Sequence, residues 1–189
     1  LAKYQMRPND AIRPDARHAT LRDDLITQYG DSVQYVAGGA VQNAIRIAQW
    51  FFAEPRRTVV LGAVGMDEFG DRMKSEAEND QVAVSYVMHR DYPTGTCACL
   101  ITGDGKNRSL CAFLGASQIY TIEDLEANLQ ALAHRPSIIY TSAYFTTVCF
   151  EAQMSLATQA SNGAEPMKQL FTFNLSAPFL ARQCEKEFD

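Results

Sequence analysis

From residue 58 onward the sequence alternates between short β-branched runs and longer stretches whose apolar residues recur every three or four positions. A strand, a covering helix and a second strand close as a right-handed parallel crossover. Repeated, that unit gives an α/β fold: a mostly parallel sheet with helices on both faces. Residues 58–61, 82–88, 137–142 and 170–174 read as its strands, and the unbroken apolar run at 58–61 suits a strand covered on both sides. A surface helix is predicted over 14–28, stopped by Gly30, and a second over 40–52. In the second, Val41, Ala44, Ile45, Ala48 and Phe52 form a stripe that Ile47 and Phe51 widen, so it should be largely buried. Asp67 is placed to cap a helix carrying Phe69, Met73 and Ala77, and Thr121 opens one carrying Ile122, Leu125, Leu129 and Leu132. Further helices are expected over 148–161 and from Pro178.

One hairpin breaks the alternation. A Pro-Thr-Gly turn at 93–95 leads into β runs at 96–102 and 108–114, joined by Gly-Asp-Gly-Lys-Asn. A two-stranded insert is unstable alone. It is expected to join the short β-rich run at 32–37, before Gly38, in a small second sheet. Residues 1–38 and 92–115 then form a lid over a larger α/β unit of 39–91 and 116–189, and the cleft between them is the expected ligand site.

With 47% hydrophobic and 21% charged residues the chain has a globular, not a disordered, composition. No apolar run reaches the ~20 residues of a membrane helix, and no secretory leader is visible. The net charge of −5 argues against a broad nucleic-acid face. Five cysteines, an odd number without a regular framework, read as free thiols in a reducing compartment. The expected location is the cytoplasm, with the nucleus left open. His18, His89 and His134 are scattered and predict no metal site. Both ends read as cut, so the chain is expected to be an internal piece of a longer protein.

The segment 36–43, Val-Ala-Gly-Gly-Ala-Val-Gln-Asn, puts two glycines before a helix and Asn43 in its first turn. Gly38 and Gly39 let backbone approach a ligand, and Asn43 offers a donor and an acceptor suited to sugar hydroxyls; an ordinary glycine turn is the simpler alternative. The segment 62–70, GAVGMDEFG, matches neither the dinucleotide nor the phosphate-loop glycine spacing and reads as a tight strand-to-helix turn. In the hairpin, Arg108, Leu110, Ala112 and Leu114 share a face by the period of two. That face could cover a flat heterocycle and reach an anion, or it could be a solvent-facing edge. Phe145 and Phe179 follow predicted strands, where sites of α/β sheets lie, although a phenylalanine is usually core. Cys97 and Cys99 share a strand face. Ser142, Ser176 and Thr147 lack a histidine partner; Ser176 reads as a helix cap, and no general base stands out.

Taken together, YVAGGAVQNAIRIAQW, GAVGMDEFG, PTGTCACLITGDGKNRSL and FNLSAPF resemble the adenosine kinase branch of the ribokinase-like (PfkB) carbohydrate and nucleoside kinases. The resemblance runs from about Leu1 to Phe179 and implies a ribokinase-like α/β domain with a small β-rich lid. It implies transfer of the ATP γ-phosphate to the ribose 5′-hydroxyl of adenosine, with Mg2+, by a monomer. By motif, Gly38, Gly39 and Asn43 would hold the ribose. Phe145 would stack on adenine, with Leu110, Ala112, Leu114 and Phe179 lining the pocket and Cys97 beside it. Arg108 would swing in with the lid toward the phosphate.

The family's Asp-Thr-x-Gly-Ala-Gly-Asp segment, with its catalytic base and phosphate-receiving helix start, does not occur in these residues. Nor do its Gly-Asn-x-x-x-Asp strand and its Asn-x-x-Glu element. ATP and Mg2+ are therefore assigned to a full-length parent and not to this chain, which alone is expected to be inactive. Arg13 stands where the family usually has an apolar contact, and the GDGKN loop is longer than in the animal enzymes. A kinase of another sugar or nucleoside, and a non-catalytic nucleoside-binding module, are the alternatives.

Overall fold

The computed structural model describes residues 1–163 and 168–188. Its elements are β1 (Ala11–Ile12), α1 (Leu21–Tyr29), α2 (Ala40–Phe51), β2 (Val59–Gly65), α3 (Glu68–Asn79), β3 (Ala83–His89), β4 (Thr96–Thr102) and β5 (Asn107–Phe113). They continue with α4 (Ile122–Gln130), β6 (Ile138–Ser142), α5 (Ala143–Thr146), α6 (Phe150–Ser161), β7 (Leu170–Asn174), α7 (Pro178–Gln183) and α8 (Glu185–Phe188).

The expected α/β pattern is present. β2 pairs parallel with β3, and β6 parallel with β7. Period-two alternation then sorts the side chains of β2 and β3. Val60, Val84 and Tyr86 pack with Ile45, Ala77 and Val82 on the α2 and α3 side. Leu61, Ala63 and Val87 turn the other way, onto Tyr120, Leu125, Ala152 and Leu156 beside α4 and α6. Ile139 and Phe171 reach this same cluster, so both parallel pairs share one helical layer. Among the described residues they remain two separate two-stranded ladders, not one continuous sheet.

Local chemistry fixes the helix starts. Asp67 caps α3 by accepting from the Gly70 N–H at 2.9 Å. Thr121 and Asp124 form a reciprocal capping box at α4, and Pro178 occupies the first turn of α7. The helix expected over 14–28 starts late: residues Ala16–His18 are a 3-10 turn, and α1 begins at Leu21. Ser176 does not cap α7. Its backbone sits at φ 64°, its N–H donates to Asn174 Oδ1, and Ala177 is the N-cap.

Two expectations are corrected. Helix α2 is not largely buried: Ile47, Trp50, Phe51 and Phe52 are exposed, Trp50 and Phe51 each by 76%. Its buried residues are Gln42 and Gln49. Gln49 accepts from the Thr58 N–H (3.0 Å) and hydroxyl (3.1 Å) and donates to the Glu54 carbonyl (2.8 Å). Gln42 accepts from the Tyr86 hydroxyl and donates to the Met73 carbonyl. Two satisfied amides thus take the inner face, and part of the apolar stripe points outward.

The hairpin's partner is also different. β4 and β5 are antiparallel as expected, but the third strand is β1, parallel to β5, and residues 33–38 form no strand. Asn9 explains the choice. Its backbone N–H donates to Ser109 Oγ, its side-chain amide donates from Nδ2 to Asn107 Oδ1, and its side-chain Oδ1 accepts the Arg108 N–H. The Leu110 N–H then bonds the Asp10 carbonyl.

Candidate functional site

Alternation divides the small sheet into two faces. Ile12, Ala98, Leu100, Cys111 and Phe113 pack onto Tyr4, Met6 and Leu21. The opposite face carries Cys97, Cys99 and Ile101, paired with Ala112, Leu110 and Arg108 respectively. It is the more open side: Cys97, Cys99, Ile101 and Arg108 are exposed, while Leu110 and Ala112 are half-buried. Arg108, Leu110 and Ala112 therefore share one face, as the sequence spacing requires. Leu114 lies just past β5 and caps the short turn that follows.

The turn after β6 meets this region. Arg13, one residue past β1, donates from Nη2 to Thr147 Oγ1, and that hydroxyl donates to the Tyr144 carbonyl at 2.8 Å. The Tyr144 ring meets Phe179 edge-on, with centroids 6.4 Å apart. Burial raises the Tyr144 hydroxyl pKa; Cys97 adds to the rise and Arg13 opposes it, so all three lie within electrostatic reach. Although Cys97 is exposed, surrounding protein atoms partly desolvate its thiol and push the pKa up, reinforced by Cys99. The result is a largely apolar face with Arg108 and Arg13 as its cations, tied through Arg13 to the turn that carries an aromatic pair.

The remaining predicted residues have other neighbours. Phe145 is half-buried; its ring meets Tyr120 at 5.9 Å and packs on the core cluster. The aromatic beside Phe179 is Tyr144, one position earlier, which the sequence reading does not single out. Gly39 is the α2 N-cap at φ 96°, a conformation that favours glycine, and Gly38 is half-buried beside it. Asn43 is exposed, its N–H bonded to the Gly39 carbonyl. It borders a cavity of about 700 Å3 along α2, with Arg46, Trp50, Phe52 and Asp80. Among the described residues no hydrogen bond or ring contact links Gly38, Gly39 or Asn43 to the open face of the small sheet.

The turn GAVGMDEFG serves as an anchor for the hairpin. Asp67 accepts from both the Thr94 N–H (2.7 Å) and hydroxyl (2.6 Å), and the Gly65 N–H donates to Thr94 Oγ1 at 2.9 Å. A Cβ on Gly65 would come within 2.6 Å of Thr94 N and Tyr92 O, and one on Gly70 would strike the Gly65 carbonyl. These glycines are required by close backbone approach. Among the described residues no group of three His, Cys, Asp or Glu could hold a metal ion. Nor is any described helix long and apolar enough to cross a membrane.

Comparison with known proteins agrees with this architecture. The pfkB family carbohydrate kinase model matches residues 5–187. Adenosine kinase 2 of Arabidopsis thaliana is 35% identical over 182 residues, covering 95% of this chain and 50% of the relative. The adenosine kinase of Schizosaccharomyces pombe is 33% identical and covers all of this chain and 53% of its own length. Among solved structures, Anopheles gambiae adenosine kinase in complex with P1,P4-di(adenosine-5) tetraphosphate superposes with a TM-score of 0.87 at 38% identity, over 100% of this chain and 53% of that one. The chain thus spans about half the length of the curated relatives it matches. With the family match extending over nearly every residue, the chain belongs to the pfkB family of carbohydrate kinases.

Proposed function

We infer that these residues form the nucleoside-holding side of an adenosine kinase, which transfers the γ-phosphate of ATP to the ribose 5′-hydroxyl and releases AMP. The observation that carries this reading is the Arg13–Thr147 hydrogen bond, which ties the end of β1, beside β5, to the turn that holds the Tyr144–Phe179 pair. A flat apolar base fits between such walls, and aromatic rings favour it by stacking and burial. Residues 1–38 and 92–115 act as a lid over the remainder. Cys97, Leu110, Ala112 and Leu114 supply its apolar lining, and Arg108 stands ready as the cation nearest the transferring phosphate. Gly38, Gly39 and Asn43 hold the ribose hydroxyls from the start of α2, and Phe145 stiffens the aromatic wall from behind. The protein acts as a monomer in the cytoplasm.

Phosphoryl transfer needs a base within hydrogen-bond reach of the attacking hydroxyl and donors that neutralise the phosphates. ATP and Mg2+ are used by a chain that carries those groups. The 189 residues alone are expected to bind adenosine without phosphorylating it. Incubation with adenosine, γ-labelled ATP and Mg2+ tests this. Labelled AMP formed at the rate of a full-length relative would overturn it.

A further inference from the structure

Arg13 carries the register of β1 one residue further. Ala11 lies opposite Leu110 and Ile12 opposite Cys111, and Ile12 packs on the closed face of the small sheet. Extending that register, the period of two returns Arg13 to the open face next to Ala112, with Cys97 one strand further across β5. There its Nη2 donates to Thr147, whereas its Nε is buried and has no partner among the described residues. Arginine has five N–H donors, no acceptor and a permanent charge. Buried donors in native proteins are paired, yet Cys97, Leu110, Ala112 and Phe179 present no strong acceptor side chain, and the nearby Tyr144 hydroxyl does not bond this Nε. The unused donor on this wall calls for an acceptor from the ligand.

We propose that Arg13 is a specificity-determining residue whose guanidinium donates to the base edge of a 6-oxopurine nucleoside, extending the substrate range of this site beyond adenosine. The inference rests on the nucleoside reading above. A 6-oxopurine presents two neighbouring acceptors, O6 and N7, which a guanidinium fork meets with two parallel N–H bonds. Adenine places an amino donor where O6 would be, so one arm of the fork meets another donor. Thr147 is the resting partner, and rotation of the flexible arginine side chain turns its Nε edge to the base.

Calorimetric titration of the 189-residue chain with adenosine, inosine and AMP tests the proposal, using wild type, Arg13→Met and Arg13→Lys, each checked for a cooperative melt. Inosine is expected to bind wild type at least as tightly as adenosine. Arg13→Met should weaken inosine on the order of tenfold and leave adenosine little changed. Arg13→Lys, a point charge without the fork, should recover only part of the loss. Inosine affinity unchanged in a folded Arg13→Met or Arg13→Lys protein would overturn the proposal while leaving the nucleoside reading intact. Loss of AMP affinity alone would also overturn it, by placing the cation at a phosphate. Failure of wild type to bind any nucleoside would overturn both readings.

Discussion

Asp67 shows how one side chain joins two parts of the molecule. It caps α3 and also holds Thr94, the residue from which the hairpin departs. Burial opposes its ionisation, but hydrogen bonds from the Thr94 hydroxyl and N–H and from the Gly70 and Phe69 N–H groups outweigh this, so its pKa lies below the ordinary 3.8. A carboxylate with a depressed folded-state pKa contributes stability that is complete above its unfolded pKa and is lost as pH falls through the folded value. Urea midpoints should therefore be insensitive to this group above about pH 5 and fall below about pH 4. Asp67→Ala should lower stability at pH 7 by about 1–2 kcal/mol and flatten that acid decline. An Asp67→Ala curve parallel to wild type down to pH 3 would contradict the assignment. Legibility was uneven at this scale. The cap at Asp67 follows from residue type and position. The choice of Tyr144 over Phe145 as neighbour of Phe179 does not, because consecutive residues in a tight turn point in different directions set by backbone phase.

At the scale of elements, alternation read in the sequence gave strands and helices near their observed places, since burial on both faces of β2 leaves a local apolar signature. The apolar count overstates the burial of α2 because Gln42 and Gln49, satisfied by hydrogen bonds, take its inner face. The third strand of the small sheet was missed because β1 has only two residues, too few for a period, and is held by bonds from Asn9 to residues about a hundred positions away. The exposed Trp50 and Phe51 lead to a prediction. Replacing both with lysine should raise solubility and change the unfolding free energy by less than about 1 kcal/mol, because neither side chain packs inside. A larger loss, measured by urea titration, would show that the pair is buried in solution. Gly70→Ala tests the opposite case. Alanine is the better helix former by roughly 0.8–1 kcal/mol. The clash with the Gly65 carbonyl should nevertheless make the variant less stable, and an unchanged or raised melting temperature would contradict the close approach.

For the whole molecule, two parallel strand pairs sharing one helical layer present a turn, after β6, to a small sheet whose open face is apolar apart from Arg13 and Arg108. The family was legible from motif order. The tie between Arg13, at the end of β1, and the turn after β6 is not, since it depends on tertiary approach over more than a hundred residues. The central claim is that this junction holds a purine nucleoside, and equilibrium binding of adenosine to the 189-residue chain, compared with a folded Phe179→Ala variant, tests it most directly. Saturable one-to-one binding by wild type, weakened on the order of tenfold in the variant, is the predicted result. No saturable binding, or identical affinity in the two proteins, would contradict it.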